Sequence, residues 1–356
     1  MEALAEALTE AAGNPGRSAH AQASRAAERV FEVREAVCRF FDASSPERVV
    51  FTQNATTALN MAIFCACHAG GHVLCSDMEH NAVLRPLAQL ERVGKIHYDV
   101  FDSATLTEEH LETLVRPDTR ALVATHASNI CGRVLPIDVI GAFCRKRNIL
   151  FILDASQSAG HIPISVRKMG VDILCAPAHK GLYGILGAGF AIFETSIPLP
   201  PFLFGGSGSF SHELSMPSTL PERYEAGSLS VPAILALGAS LCRLEKIGVE
   251  NILKHVEELS TYLYARLSEI KGLSLIDKAP PKNGVISFIH ASLSPAYIAE
   301  GLSDEGVCVR AGFHCAPLAH KTLGTEKGGS VRASIGFSNT KEECNDFLLK
   351  ISSVLT

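Results

Sequence analysis

Short apolar runs alternate along this chain with longer stretches whose apolar residues recur at helical spacing. The runs RVVFT (48–52), HVLCSD (72–77), KIHYDV (95–100), RALVATH (120–126), ILFILD (149–154), DILCAP (172–177) and GFAIF (189–193) read as strands. Several are apolar nearly throughout, as strands covered on both faces should be. Between them, TTALNMAIFCACHA and PIDVIGAFCRKRN read as helices. This alternation predicts an α/β domain with a largely parallel sheet.

A loop rich in Gly, Ser and Pro follows, from Pro198 to about Pro221. It is long for a structureless connection, which points to a functional segment or a cover. VPAILALGASLCRLEKIG then reads as a helix. Beyond it come a helix near 251–270, the strand VISFIH (285–290), a helix near 295–304, the segments VCVRAG and VRASIG, and a helix from about Lys341. That mixture predicts a second, smaller α/β domain. The expected boundaries are 15–235 for the large domain and 236–356, joined by the N-terminal helix 1–14, for the small one. No internal repeat is visible.

The length of 356 residues agrees with two domains. With 47% hydrophobic and 19% charged residues, a sizeable core is possible and long disorder is not expected. The net charge of −5 argues against general nucleic-acid binding, which needs a clustered basic footprint. The opening MEALAEALTEAAG is acidic and amphipathic and lacks the basic start of a signal peptide. No run approaches the ~18 apolar residues of a membrane span. The cytoplasm is the expected location. Eleven cysteines are scattered over the chain, as in a protein with reduced thiols. Cys65, Cys67 and His68 lie together, but without a second ligand pair at zinc spacing; buried free cysteines are the expectation, and no metal.

Ligands of open α/β sheets bind beyond the carboxyl ends of the strands. Asn54-Ala55-Thr56-Thr57 follows RVVFT and opens a helix, where free N–H groups favour an anion such as a phosphate; an ordinary N-cap is the other reading. Glu79-His80-Asn81 follows HVLCSD, and Ser128-Asn129 follows RALVATH. Asp154 ends ILFILD, with Gln157 close behind. A buried Asp needs a partner, and a protonated pyridine nitrogen is one. Ala178-His179-Lys180 follows DILCAP, with glycines after it. A lysine held there, with a lowered pKa, can form a Schiff base. Five consecutive strand ends thus each carry a group that a pyridoxal 5′-phosphate (PLP) site requires. In RAGFHCAPLAH, Cys315 lies beside His314 and near His320, a setting for a reactive thiol. Arg332, in VRASIG, is a candidate fork for a substrate carboxylate.

Together, DASQSAGH, HKGLYG, RYEAGSLS and RAGFHCAPLAHKTLGT resemble the class V aminotransferases, fold-type I PLP enzymes, and most closely their cysteine desulfurase and selenocysteine lyase branch. The likeness runs from GNPGRSAH (13–20) to the last helix. It implies a three-layer α/β/α large domain with a seven-stranded sheet. It implies that Lys180 carries PLP, Asp154 pairs with the ring nitrogen, Gln157 contacts the phenolic oxygen with Asn129 close to it, and His80 stacks on the ring and assists proton transfer. Phosphate contacts would come from Ala55, Thr56 and His179, and from Ser228 of a second subunit in a homodimer. Arg332 would hold the substrate carboxylate, and Cys315 would accept sulfur as L-cysteine becomes L-alanine, for delivery to an acceptor protein. The chain departs from the family pattern at Pro177, where a phosphate-binding hydroxyl is common, and at Asn54 and Thr57. It also starts after the YLDNAATT-like segment that lines the site in such families, so a pocket without that contribution is expected. Selenocysteine as substrate, another class V reaction, and a non-catalytic PLP-binding scaffold for sulfur transfer remain open alternatives.

Overall fold

The computed structural model describes residues 1–16 and 20–355. Arg17, Ser18 and Ala19 of the GNPGRSAH segment lie outside the described residues. Seven strands form the large sheet: β1 (Val49–Thr52), β2 (Gly71–Ser76), β3 (Ile96–Phe101), β4 (Thr119–Thr125), β5 (Leu150–Asp154), β6 (Ile173–Pro177) and β7 (Gly189–Phe193). Their order is β1-β7-β6-β5-β4-β2-β3. β7 runs against its neighbours β1 and β6, and the pairs from β6 to β3 are parallel. Each strand lies within a residue or so of its apolar run.

Helices α1 (Glu2–Thr9) and α2 (Ala21–Phe40) precede the sheet. α3 (Ala55–Ala66), α4 (Asn81–Arg92), α5 (Glu108–Leu114) and α6 (Ile137–Arg147) connect its strands. The two faces of the sheet explain the continuous apolar runs. Phe151 and Leu153 of β5 belong to a core with α1, α2, α6 and the later helix α7 (Val231–Ile247). Leu150 and Ile152, one residue out of phase, belong to a second core with α3 and α4. Neither face meets water, so period-two alternation has no cause. Each fully buried Leu, Ile or Phe contributes about 1.5–3 kcal/mol.

α8 (Val249–Ser268) leads into a small antiparallel sheet of order β10-β11-β9-β8. Its strands are β8 (Leu273–Leu275), β9 (Val285–His290), β10 (Arg310–Gly312) and β11 (Ser330–Ser334). α9 (Pro295–Asp304), α10 (Pro317–Thr322) and α11 (Lys341–Val354) complete this part. It has its own core around Phe288, Ile298, Leu302 and Ile351.

One buried ion pair ties the chain following the long loop to the sheet. Arg34 of α2 meets Glu225 in a two-pronged contact, at 2.8 and 3.0 Å, and its guanidinium lies over the Phe51 ring. Glu225 also accepts the Phe51 N–H of β1 at 2.6 Å. Side-chain exposure is 5% for Arg34 and 9% for Glu225, so removing one partner strands the other charge out of water. Glu225→Ala is expected to lower unfolding stability by about 3–5 kcal/mol, read by urea titration.

Candidate active site

A cavity of about 240 Å³ opens beyond the carboxyl ends of β4, β5 and β6. Ala55, Thr56, His80, Asn129, Asp154, Gln157, His179 and Lys180 all line it. Cys315 and Arg332 stand beside it. Ser228 does not join them: it is exposed, and its hydroxyl accepts from Asn14 Nδ2 at 3.1 Å.

Each wall has a local cause. Asn54 caps α3 by accepting the Thr57 N–H at 2.9 Å, which leaves the amides of Ala55 and Thr56 free at the helix start. Gly189 permits that helix start to sit against β7, because a Cβ there would lie 2.6 Å from the Asn54 carbonyl carbon. His80 caps α4: its Nδ1 accepts the Ala82 N–H at 3.0 Å, so the ring proton stands on Nε2. Burial holds its pKa below the ordinary value, with Asp154 opposing and Lys180 assisting the shift.

Asp154 is 3% exposed and ends β5. Its Oδ1 accepts the Ser156 N–H at 2.9 Å, while Oδ2 has no protein donor among the described residues. Lys180 projects into the open cavity, accessible to solvent but hemmed in by protein. Burial holds its amine below the usual lysine range, with Asp154 acting the other way and Arg332 and Arg310 assisting. Pro177 closes β6 and lines the cavity, without the hydroxyl its position often supplies.

Arg310 and Arg332 are direct cross-strand partners in β10 and β11. Two cations so placed repel, and their partners are not carboxylates. Arg310 Nη2 lies 3.8 Å from Cys315 Sγ, and Arg332 Nη1 donates to the Asn129 carbonyl at 3.1 Å. The buried Nε of Arg332 has no acceptor among the described residues. Burial, then Arg310, lowers the Arg332 pKa. The pair suits an anionic ligand held by a guanidinium fork.

Cys315 sits between β10 and α10 on a turn where His314 and Cys315 both adopt left-handed backbone, with φ of 48° and 59°. Each such residue costs about 1–2 kcal/mol. By contrast, Cys65 and Cys67 are buried in and just after α3, and burial pushes both thiols up to about 12. No group of three or more metal-binding side chains forms among the described residues.

The profile of the family described as Aminotransferase class-V matches residues 1–347. The chain belongs to this family. Within it, the chain falls in the cysteine desulfurase branch. It is 34% identical over 352 residues to a probable cysteine desulfurase of Methanothermobacter thermautotrophicus, covering 96% of this chain and 88% of that one. A probable cysteine desulfurase of Mycolicibacterium paratuberculosis is 33% identical over 353 residues, and this chain spans 51% of its length. The apo structure of a cysteine desulfurase from Thermococcus onnurineus superposes with a TM-score of 0.92 at 27% identity, covering 99% of this chain and 90% of that one. These likenesses extend to the mainly parallel seven-stranded sheet and its small companion.

Two residues of the site had no role assigned from sequence. Arg310 reads as an ordinary strand residue in VCVRAG, although its place five residues before Cys315 was a usable signal. Glu79 follows a strand end but is wholly buried. Its Oε1 accepts from the Ser76 hydroxyl and from the Thr125 N–H at 2.6 Å, and its buried Oε2 has no partner. Burial, reinforced by the charges of Asp154 and Asp77, pushes its carboxyl up to about 8 from 4.5. The folded protein therefore holds a proton that the unfolded chain releases. Glu79 contributes stability that is fully present below pH 4.5 and is lost as pH rises through about 8. In this window the loss runs at about 1.4 kcal/mol per pH unit. Glu79→Gln is expected to flatten that slope in denaturant titrations at pH 5, 6, 7 and 8; an unchanged slope would show that Glu79 ionises normally.

Proposed function

We propose that this chain is a PLP-dependent cysteine desulfurase, which converts L-cysteine to L-alanine and leaves a persulfide on Cys315. One observation carries the reading: a lysine with a lowered pKa lines a cavity whose Arg310 lies 3.8 Å from a thiol on a docked turn. A plain aminotransferase has no use for that thiol.

The cavity's donor set fits PLP. The free amides of Ala55 and Thr56 suit its phosphate, with His179 nearby. The unpartnered Oδ2 of Asp154 suits a protonated ring nitrogen, and Gln157 and Asn129 are the polar groups for the phenolic oxygen. Lys180 is the attachment point. When bound, PLP supplies an electron sink for charge developing at the substrate α-carbon.

The chain's own residues supply the remainder. Lys180, with its lowered pKa, is the base for the α-proton. His80 presents Nε2–H as a donor, and its ring is the face on which a planar group stacks. Arg332 binds the substrate carboxylate through its unpartnered Nε, with Arg310 adding positive charge. The Cys315 thiolate attacks the substrate sulfur. The carbon–sulfur bond breaks, a sulfur–sulfur bond forms, and the carbon takes a proton to give alanine. One L-cysteine and one thiol thus become one L-alanine and one persulfide.

A homodimer belongs to the proposal, because Ser228 is exposed outside its own chain's cavity and its hydroxyl, which accepts from Asn14, can still donate to a second one. So do an acceptor protein for the persulfide sulfur, a large domain of 15–235 with the remainder forming the small one, and a cytoplasmic location. No helix among the described residues is long and apolar enough to cross a membrane.

The test is the absorption spectrum of the PLP-loaded protein before and after L-cysteine, with alanine and sulfide assays. Lys180→Ala is expected to lose the substrate-induced spectral change and to slow alanine formation by about 10²–10⁴-fold. Cys315→Ala is expected to keep the spectral change and lose sulfide release. Undiminished turnover in Cys315→Ala, or no visible cofactor band in the wild type after PLP is added, refutes the reading. Parallel assays with selenocysteine identify the preferred substrate.

A further inference from the structure

The turn that carries Cys315 is fixed from two sides. The small sheet holds its ring side: His314 Nε2 donates to Ser330 of β11 at 3.1 Å. The large sheet holds its backbone. The carbonyl of His314 accepts from Asn129 Nδ2 at 2.8 Å, and the carbonyl of Cys315 accepts from the Asn81 N–H at 2.7 Å. The two carbonyls belong to the two residues with left-handed backbone. The two donors follow the ends of β4 and β2, the same strand ends that supply Asn129 and His80 to the cavity. Asn129 is also tied to the anion-binding arginine, since its own carbonyl accepts from Arg332 Nη1 at 3.1 Å.

We propose that Asn129 is the positioning residue for the sulfur-accepting thiol, and that its side-chain amide acts with the Asn81 backbone amide to clamp the strained turn over the cavity. The proposal rests on the reading of Cys315 as sulfur acceptor. The physical reason is conformational. Two consecutive non-glycine residues at positive φ relax toward negative φ unless something holds them. Relaxation rotates the Cys315 side chain away from Arg310 and the cavity. A nucleophile displaced by about 1 Å loses on the order of 10²-fold in rate. An amide donor provides the restraint without adding a charge beside Asp154, Arg310 and Arg332.

The clamp can be cut on either side. Asn129→Ala removes one donor, but Asn129 also lines the cavity, so that variant alone confuses clamp with cofactor contact. Asn81→Pro does not share the difficulty. Asn81 is the first residue of α4, a position where proline is well accepted, and His80 before it is already extended, with φ −74° and ψ 157°. The proline ring deletes the N–H and occupies the place of the Cys315 carbonyl, forcing the turn outward. No cavity-lining side chain is changed.

The experiment uses PLP-loaded protein and L-cysteine. It follows the cofactor spectrum, the gain of one sulfur on the Cys315 peptide by mass spectrometry, and separately the alkylation of Cys315 by iodoacetamide without substrate. Asn81→Pro is expected to keep the substrate-induced spectral change. It should form persulfide at least about tenfold more slowly than wild type, with KM within about threefold, and both variants should alkylate Cys315 several-fold faster as the turn comes free. Wild-type persulfide formation and alkylation in Asn81→Pro would overturn the clamp. Wild-type alkylation of Cys315 in Asn129→Ala would remove Asn129 from the clamp and leave it a cofactor contact alone. Failure of the underlying reading has a different signature: wild-type Cys315 gains no sulfur. Alkylation needs no substrate and still judges the clamp in that case.

Discussion

A carboxylate buried at the end of a parallel strand sets the terms for this site. Asp154 is withdrawn from water by β4 and β6 on either side and by helices on both faces of the sheet. Such a charge is stable only with a partner, and its one protein donor is a backbone N–H. The cavity around it answers that demand. The Lys180 amine and the His80 ring share the cavity with it, and its charge opposes the shift that burial imposes on each of them. Burial lowers the pKa of both the lysine and the histidine, toward the neutral forms that proton transfer uses, against the opposing pull of that carboxylate.

The rest of the large domain serves to hold strand ends still. Residues that no sequence motif marks as chemical do much of this. The Glu79 carboxyl takes the Thr125 N–H at the strand end where β2 has already stopped. It joins the end that carries His80 to the end that leads to Asn129, next to Asp154. Gly189 lets α3 start against β7, where its free amides face the cavity. The Arg34–Glu225 pair fixes the chain after the long loop, close to Ser228. Small displacements matter in such a site because reactivity depends on ångström-scale alignment.

The small sheet contributes what the large one lacks: two facing guanidiniums and a thiol on a docked turn. The guanidiniums are those of the cross-strand partners Arg310 and Arg332, and the thiol of Cys315 follows Arg310 in the chain. Bringing two guanidiniums together costs energy, which an anionic ligand between them would offset. The turn with Cys315 is strained in the same sense, since its geometry persists through contacts made elsewhere.

Much of this was legible in the sequence, and the physical reason is period and punctuation. Strands covered on both faces must be apolar throughout, so RVVFT, ILFILD and GFAIF announced the sheet within a residue of its edges. Strand ends carry the ligand in an α/β sheet, so Ala55, Thr56, His80, Asn129, Asp154, Gln157, His179 and Lys180 could be named and do line one cavity. Three things were not legible. Glu79 looks like an exposed loop acid, and only the packing of β2 against β4 buries it. Arg310 looks like an edge-strand cation, and only the β10–β11 register sets it opposite Arg332. Cys315 could be named as a reactive thiol, but the left-handed turn and its hydrogen bonds to Asn81 and Asn129 join residues more than 180 positions apart. The sequence by itself determined which groups were available and at which strand ends they stood. The tertiary structure decided which of them are buried, because burial and long-range pairing depend on neighbours that no local window contains.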